Sequence, residues 1–456
     1  MAQHVSAAPG ADPDVNRVDL PTTVELLRIA AAVSALSAVI HLASSAILPG
    51  FIHPNDSFSY LVPAESLLRT HSFLDQSGHP MTFRTPGYPL FLAVFFALGL
   101  KVPAVIYVQH LVAALLAGAA AMASRVALRS RVPGWTAGLL VGTDIATLQF
   151  ANLVMSEILA TVAVTAAVVF AYIAASNGKR RFAVLAGVMC AAGTLIRPVG
   201  IFLGVALGVF IVFRSRTTAT RRLGTAGVIV GLSLALLAPW VIRNYLETGH
   251  SILSSVAGIN MLEYRAAGVL AAADSGDFEA NRVRHRDALL RQACAEVERS
   301  LGRPCEQTSY ADRAAVYSRM GTELILDHPA GYAKSAARGV AMMLFGDSAS
   351  SVASAAHISQ RNAKLICVAL MLPIFVLAVI GSVWVLRQNA DVAYLLFIVI
   401  SYFVVVSAGP EADSRFRIPF MPCYAVLASG GVAYALSWWR RGTKVVATDR
   451  AQKRGS

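Results

Sequence analysis

Charge is what this chain lacks most: only 14% of its residues are Asp, Glu, Lys or Arg, against about 25% in soluble proteins. Hydrophobic residues make up 56% and the mean hydropathy is +0.59. That balance excludes a string of soluble domains, although 456 residues would be long enough for several. Cysteine is scarce as well, five in all, and no spacing among them suggests zinc or a haem. There is no internal repeat, low-complexity tract or strand-rich region; the missing repeat weighs against a transporter built from paired halves. Nucleic-acid motifs are absent too, so the net charge of +13 needs another explanation. Its placement supplies one: the excess lies in short clusters between apolar runs and in the C-terminal tail, a pattern that orients membrane proteins. The chain reads as an all-α polytopic membrane protein with no nucleic-acid partner.

Ten apolar runs read as crossings: Ile29–Leu48, Pro103–Ala123, Trp135–Phe150, Ile158–Ala175, Phe182–Ile196, Val199–Phe213, Leu223–Val241, Leu365–Leu386, Val392–Ala408 and Ile418–Trp439. Leu90–Leu100 is too short to cross and reads as an interfacial helix. With that count, Arg125, Arg129 and Arg131 fall on one side with Lys179–Arg181, Arg214, Arg216, Arg221, Arg222, Arg387 and the basic tail. The positive-inside rule makes that side cytoplasmic and both termini cytoplasmic. Counting Leu90–Leu100 as a crossing would send every later cluster outside, against the rule.

The resulting plan has a cytoplasmic tail over 1–28 and a membrane module over 29–242 that includes an outer loop over 49–102. An extracytoplasmic segment of about 120 residues follows over 243–364, then membrane helices over 365–439 and a basic tail over 440–456. In the long segment, "DFEANRVRHRDALLRQACAEVERSLG" reads as an amphipathic helix. A further helical stretch is broken at His328–Pro329. Cys294 and Cys305 share this segment, and on the outer side a disulfide would close it.

The unusual charges gather on the outer side: Asp56 and Arg84 in the first loop, Glu157 in "NLVMSE", Arg197 in "LIRPVG", Arg243 and Asn244 in "PWVIRNY", and Arg415 in "ADSRFRIP". Arginines there run against the general bias, and several arginines beside a few carboxylates suit an anionic headgroup plus a proton acceptor. Each has a plainer reading. Asp56 precedes "SFSY" as a favoured helix cap, Arg84 could snorkel at the interface, and Glu157, Arg243 and Arg415 could form structural ion pairs. Arg197 could fix the turn between two short helices, and His53, Asp75 and His79 read as solvated loop residues. Asp144 is an ionisable residue inside an apolar run, either functional or bonded to Thr143 or Thr147.

Asp56-x3-Tyr60-x3-Ala64, "RTPGYPLFLA", "MSEIL", "LIRPVG", "PWVIRNY" and "SRFRIPFMP" together resemble the GT-C superfamily, in particular bacterial relatives of protein O-mannosyltransferases and of the lipid A aminoarabinose transferase. The resemblance implies a GT-C-like fold with juxtamembrane helices in the first outer loop, in the inner membrane of a bacterium. It further implies an inverting transferase taking a sugar from a polyprenyl-phosphate donor on the extracytoplasmic face, with a glycan, glycolipid or protein as acceptor. Under it Asp56 is the general base and Glu157 a second catalytic candidate. Tyr60, Arg84, Tyr88, Arg243, Asn244 and Arg415 hold the donor phosphate or sugar. The single acidic residue in "PNDSF", where some relatives have a pair, leaves a divalent metal in doubt and no cofactor is assigned. The competing reading is a transporter or flippase for an anionic amphiphile.

Overall fold

The computed structural model describes residues 21–452 apart from 49, 55 and 347, with the backbone alone at 350 and over 441–452. The parts of the expected cytoplasmic tails at 1–20 and 453–456 lie outside the described residues. Those described form helices and no strand, apart from one isolated bridge between Leu74 and Pro80.

The first half comprises α1 (Thr23–Ile47), α2 (Phe58–Thr70), α3 (Gly87–Ala97), α4 (Val102–Leu128), α5 (Arg131–Gly142), α6 (Ile145–Ala151), α7 (Glu157–Asn177), α8 (Arg180–Ile196), α9 (Leu203–Arg214) and α10 (Ala219–Thr248). Short helices α11 (Val256–Asn260) and α12 (Ala267–Ala271) follow, then α13 (Phe278–Leu301), α14 (Tyr310–Asp327), α15 (Pro329–Phe345) and α16 (Ala349–Ala356). The chain ends in α17 (Gln360–Gln388), α18 (Ala390–Ser407) and α19 (Met421–Gln452).

Among the described residues, seven helical stretches are long and apolar enough to cross a membrane: α1, α4, α7, α10, α17, α18 and Ser414–Arg440, which contains most of α19. This is a multi-pass membrane protein. The other three expected crossings are shorter or broken. Trp135–Phe150 divides into α5 and α6 because Asp144 caps α6, accepting the Thr147 N–H at 2.9 Å. α8 has 17 residues and Pro198–Arg214 is a shorter apolar helix. α3 has 11 residues, about 16 Å at 1.5 Å per residue, too short for a hydrocarbon layer of about 30 Å.

Lipid provides little hydrophobic drive between helices, so small residues decide which pack closely. On α5, Gly134, Gly138 and Gly142 form a stripe against α1 and α4; a Cβ at Gly138 would sit 2.5 Å from Val33 Cγ1 and 3.0 Å from the Ala117 carbonyl. Ion pairs tie one end of the bundle. Glu25 accepts from Arg131 at 2.8 Å and Arg125 at 3.2 Å, and Asp391 pairs with Arg214 at 2.6 Å and Arg216 at 3.1 Å. α1, with 25 residues, is about 38 Å long, which sets this end across the bundle from the first loop.

The segment between α10 and α17 has its own core of Leu262, Ala266, Leu289, Ala293, Val297 and Tyr317. α13 is the amphipathic helix the sequence predicts, and α14 gives way to α15 at His328–Pro329 as expected. Cys294 and Cys305 are joined by a disulfide. Cys190, Cys367 and Cys423 are buried in the helix packing.

Candidate active site

The first loop is fastened on two sides before it offers any chemistry. Phe51 accepts the Val154 N–H at 2.8 Å, Ser57 Oγ donates to the Val154 carbonyl at 3.0 Å, and the hydroxyls of Tyr60 and Ser156 lie 3.1 Å apart. The "NLVMSE" turn is therefore the bed on which residues 51–60 lie. Farther along, Ser255 N–H donates to the Thr82 carbonyl at 2.9 Å and Ser254 Oγ to the Phe83 carbonyl at 2.6 Å. Arg84 is thus presented by a segment held just before it, and Asp56 by a segment held on both sides.

Between these anchors Asp56 lies at the centre of a charge cluster. Its Oδ1 accepts from Arg84 Nη2, and its Oδ2 accepts from Arg415 Nη1 at 2.9 Å. Arg84 also donates through Nε to Ser59 Oγ at 2.8 Å and lies over the rings of Tyr60 (4.5 Å) and Phe83 (4.6 Å). Arg415 stacks on Phe416 at 5.0 Å, and its backbone N–H donates to Asp413 Oδ1 at 2.8 Å. Burial pushes the Asp56 pKa up, but Arg84, then Arg415 and His53, outweigh it and hold the carboxyl well below the usual carboxylate range. The capping role the sequence allows for Asp56 is not what it does: Ser57 is the N-cap of α2, with no side-chain cap bond.

Two cavities meet at this cluster, sharing Arg84, Arg415, Val256, Asn260 and Glu411. One, about 310 Å³, has apolar sides from the ends of membrane helices, including Val199, Ile201 and Val406, and cationic groups from Arg84, Arg197, Arg265 and Arg415. The other, about 560 Å³, is polar and is lined by Asp56, His53 and residues of the α10–α17 segment such as Glu263, Tyr264 and Arg282. A larger cleft of about 650 Å³ between α11 and α14 contains none of the cluster residues.

The structure sorts the remaining candidates. Tyr60 lines the apolar-sided cavity; Tyr88 is buried behind it, edge-on to Tyr60 at 5.0 Å and donating to Gln109 Oε1 at 2.6 Å. Glu157 is fully buried and accepts from Arg197, so it serves to hold an arginine of the cavity wall. Arg243 and Asn244 are not brought to the cluster. Arg243 donates to the carbonyls of Met81 (2.9 Å) and Phe73 (3.0 Å), fastening the first loop to the end of α10, and Asn244 donates to that of Ile252 (2.9 Å), fastening the stretch that follows α10. Asp75 is buried, not solvated, and accepts the N–H groups of Ser77 and His79 within a turn. His53 also leaves the solvated class: it lines the polar cavity with Nδ1 3.7 Å from Asp56 Oδ2. Asp144 pairs with Arg417 at 2.7 Å as well as bonding to Thr147, with both side chains buried.

Sequence reasoning misses the Arg265–Glu411 pair, at 2.9 Å, and the full importance of Arg197. No local signal links residues so far apart in the chain. A metal fits this site poorly, because both Asp56 oxygens are taken by guanidinium groups. Among the described residues no group of three or more metal-ligating side chains gathers.

The fold is similar to that of a solved membrane oligosaccharyltransferase. The chain superposes on the oligosaccharyltransferase of Archaeoglobus fulgidus, crystallised with a tethered acceptor peptide, with a TM-score of 0.52 at 12% identity over 90% of this chain. It spans only 50% of that enzyme's length. ArnT of Cupriavidus metallidurans, crystallised with undecaprenyl phosphate, gives a TM-score of 0.40 at 12% identity, covering 88% of this chain and 77% of its own. No family model matches the chain, and no curated protein does.

Proposed function

We propose that this protein transfers a sugar from a polyprenyl-phosphate donor to an acceptor hydroxyl on the extracytoplasmic face of a bacterial inner membrane. One observation carries the reading: Arg84 and Arg415 share the Asp56 carboxylate where an apolar-sided cavity meets a polar one. A lipid-linked phosphate needs apolar walls for its chain and forked cations for its head, and the first cavity supplies both. The GT-C likeness supports the same reaction class. The basic clusters at the opposite end and the Cys294–Cys305 disulfide support the assignment of sides.

The pairing of Asp56 bears on the order of events. A carboxylate gripped by two guanidinium groups is a poor base. A donor phosphate presents the same geometry to the same cations and competes for them. Once they turn to the phosphate, Asp56 loses the charges that depress its pKa and becomes basic beside the acceptor. The acceptor oxygen then forms its bond to the anomeric carbon while the bond from that carbon to the phosphate oxygen breaks. Asp56 takes the hydroxyl proton, and the polyprenyl phosphate leaves against Arg84 and Arg415. Attack from the face opposite the phosphate inverts the anomeric centre. Arg197, paired with Glu157, and Arg265, paired with Glu411, present further guanidinium groups to the same cavity.

Incubating purified protein with polyprenyl-phosphate sugars and measuring carrier release tests this directly. Asp56→Asn is expected to lower turnover by about 10²–10⁴-fold while carrier binding persists; near-normal turnover would falsify the base assignment. Arg84→Gln is expected to weaken undecaprenyl-phosphate binding by about tenfold or more, the scale of one lost charge-assisted bond. The transporter reading lacks comparable support, because Asp144, the ionisable residue inside an apolar run, is closed in an ion pair with Arg417.

A further inference from the structure

One carboxylate on the wall of the polar cavity stands apart. Asp56 is held by Arg84 and Arg415, Glu279 by Arg282, Glu411 by Arg265, and Asp413 accepts the Arg415 N–H. Glu263, among the described residues, has neither a hydrogen bond nor an ion-pair partner; Arg286, Arg313 and Arg282 act on it only from a distance. Burial raises its pKa and those arginines oppose the rise without cancelling it. Glu263 is half-buried with no protein partner, so its oxygens are free to accept hydrogen bonds from a ligand in the cavity.

Its backbone is built to aim it. Met261–Ala266 is a π turn between α11 and α12, and the wider turn rotates the side chains that follow relative to an α-helix. Gly321 of α14 packs directly on it: a Cβ there would fall 2.7 Å from the Met261 carbonyl oxygen and 3.0 Å from the Leu262 nitrogen. The π turn sends Met261 and Arg265 to the apolar-sided cavity, and Glu263 and Tyr264 to the polar one. Arg282 lies over the Tyr264 ring at 4.8 Å.

The balance of the wall selects the ligand. Six cationic side chains on it face five anionic ones, and all but Arg338, Lys364 and Glu263 are in ion pairs, so a strongly anionic acceptor finds a net surplus of only one positive charge. The predominantly polar lining gives no bed for acyl chains. Carboxylate, guanidinium and phenol groups together match hydroxyls, which donate to the first and accept from the others. We propose that the polar cavity holds the acceptor, that this acceptor is a neutral, hydroxyl-rich glycan, and that Glu263 fixes it by accepting hydrogen bonds from its hydroxyls. This rests on the transferase reading above, and its test separates the two.

Saturation-transfer NMR on the full chain in lipid nanodiscs would use neutral mannan, arabinan and galactan fragments, the same fragments carrying a phosphate, and, separately, undecaprenyl phosphate. Neutral fragments of at least one type are expected to bind. Glu263→Ala is expected to weaken that binding by about tenfold or more, and Glu263→Gln by less, because an amide oxygen still accepts a hydrogen bond without its charge. Carrier binding within about twofold of wild type in both variants would show that the protein is folded. If the carrier binds but no neutral fragment does, if the phosphorylated fragments bind better, or if Glu263→Ala leaves glycan binding unchanged, the acceptor proposal is overturned alone. Failure of the wild-type protein to bind the carrier overturns the transferase reading, and this inference with it.

Discussion

Asp56 joins the site to the fold, since the same two guanidinium groups hold it in place and set its charge. Burial would raise its pKa above the value of about 3.9 for a free side chain, but the arginines lower it further than burial raises it. Its folded pKa is therefore depressed, so the stability it contributes is complete above the unfolded value and lost as pH falls through the folded one. The difference in melting temperature between wild type and Asp56→Asn is accordingly expected to stay constant from about pH 5 to 8 and to shrink only below about pH 4; scanning fluorimetry across that range would show it, and a difference that shrank between pH 5 and 7 would contradict the depressed pKa. The gathering of Asp56, Arg84 and Arg415 was legible in the sequence because each lies beside a recognisable motif on the side away from the basic clusters. Arg243 was equally conspicuous and misleading: an arginine at a helix end looks the same whether it meets a phosphate or the carbonyls of Met81 and Phe73. Glu263 could not be singled out at all, because what distinguishes it is the partner it lacks, and partners are set by the tertiary structure.

At the scale of elements, the break between α5 and α6 shows what periodicity alone misses. The apolar run Trp135–Phe150 reads as one crossing, yet Asp144 ends it by capping α6. The sequence offered Thr147 as a partner and the structure agrees, but Arg417, 273 positions away, also pairs with Asp144. Arg417 in turn donates to the Met343 carbonyl at 2.9 Å, so this pair locks α6, the end of α15 and the turn before α19 together. Removing one member leaves a buried charge alone, and Asp144→Leu is expected to destabilise by about 3–5 kcal/mol. Asp144→Leu with Arg417→Met removes both charges and is expected to recover most of that loss. Denaturation of the single and double variants in the same detergent measures it; a double variant that is stable but inactive would assign the pair to transfer and not to packing. The glycine stripe of α5 makes a second element-scale prediction. Gly138→Val forces α5 away from α1 and is expected to cost about 1–3 kcal/mol, with little effect on the residues of the charge cluster.

For the whole molecule, the decisive quantity is which side each end of the bundle faces, and the sequence addressed it through charge alone. The structure adds that the basic clusters are anchored at one end, through Glu25 and Asp391, while Asp56, Arg84 and Arg415 meet at the other. The helical character of the 243–364 segment was legible from its amphipathic pattern; its two cavities were not, because they form between segments distant in sequence. If the charge rule holds, the cluster end, the α10–α17 segment and its disulfide all face the oxidising side. Single cysteines at exposed positions test this, since Cys190, Cys367 and Cys423 are buried and Cys294 and Cys305 are bonded. In intact cells a membrane-impermeant maleimide is expected to label Ser77→Cys but not Arg216→Cys, and in inverted vesicles the pattern should reverse. Labelling of Arg216→Cys in intact cells would place the charge cluster in the cytoplasm and the disulfide in a reducing compartment. A polyprenyl-phosphate sugar would then have to be consumed on the cytoplasmic side, so this experiment bears on the proposed reaction as directly as on the topology.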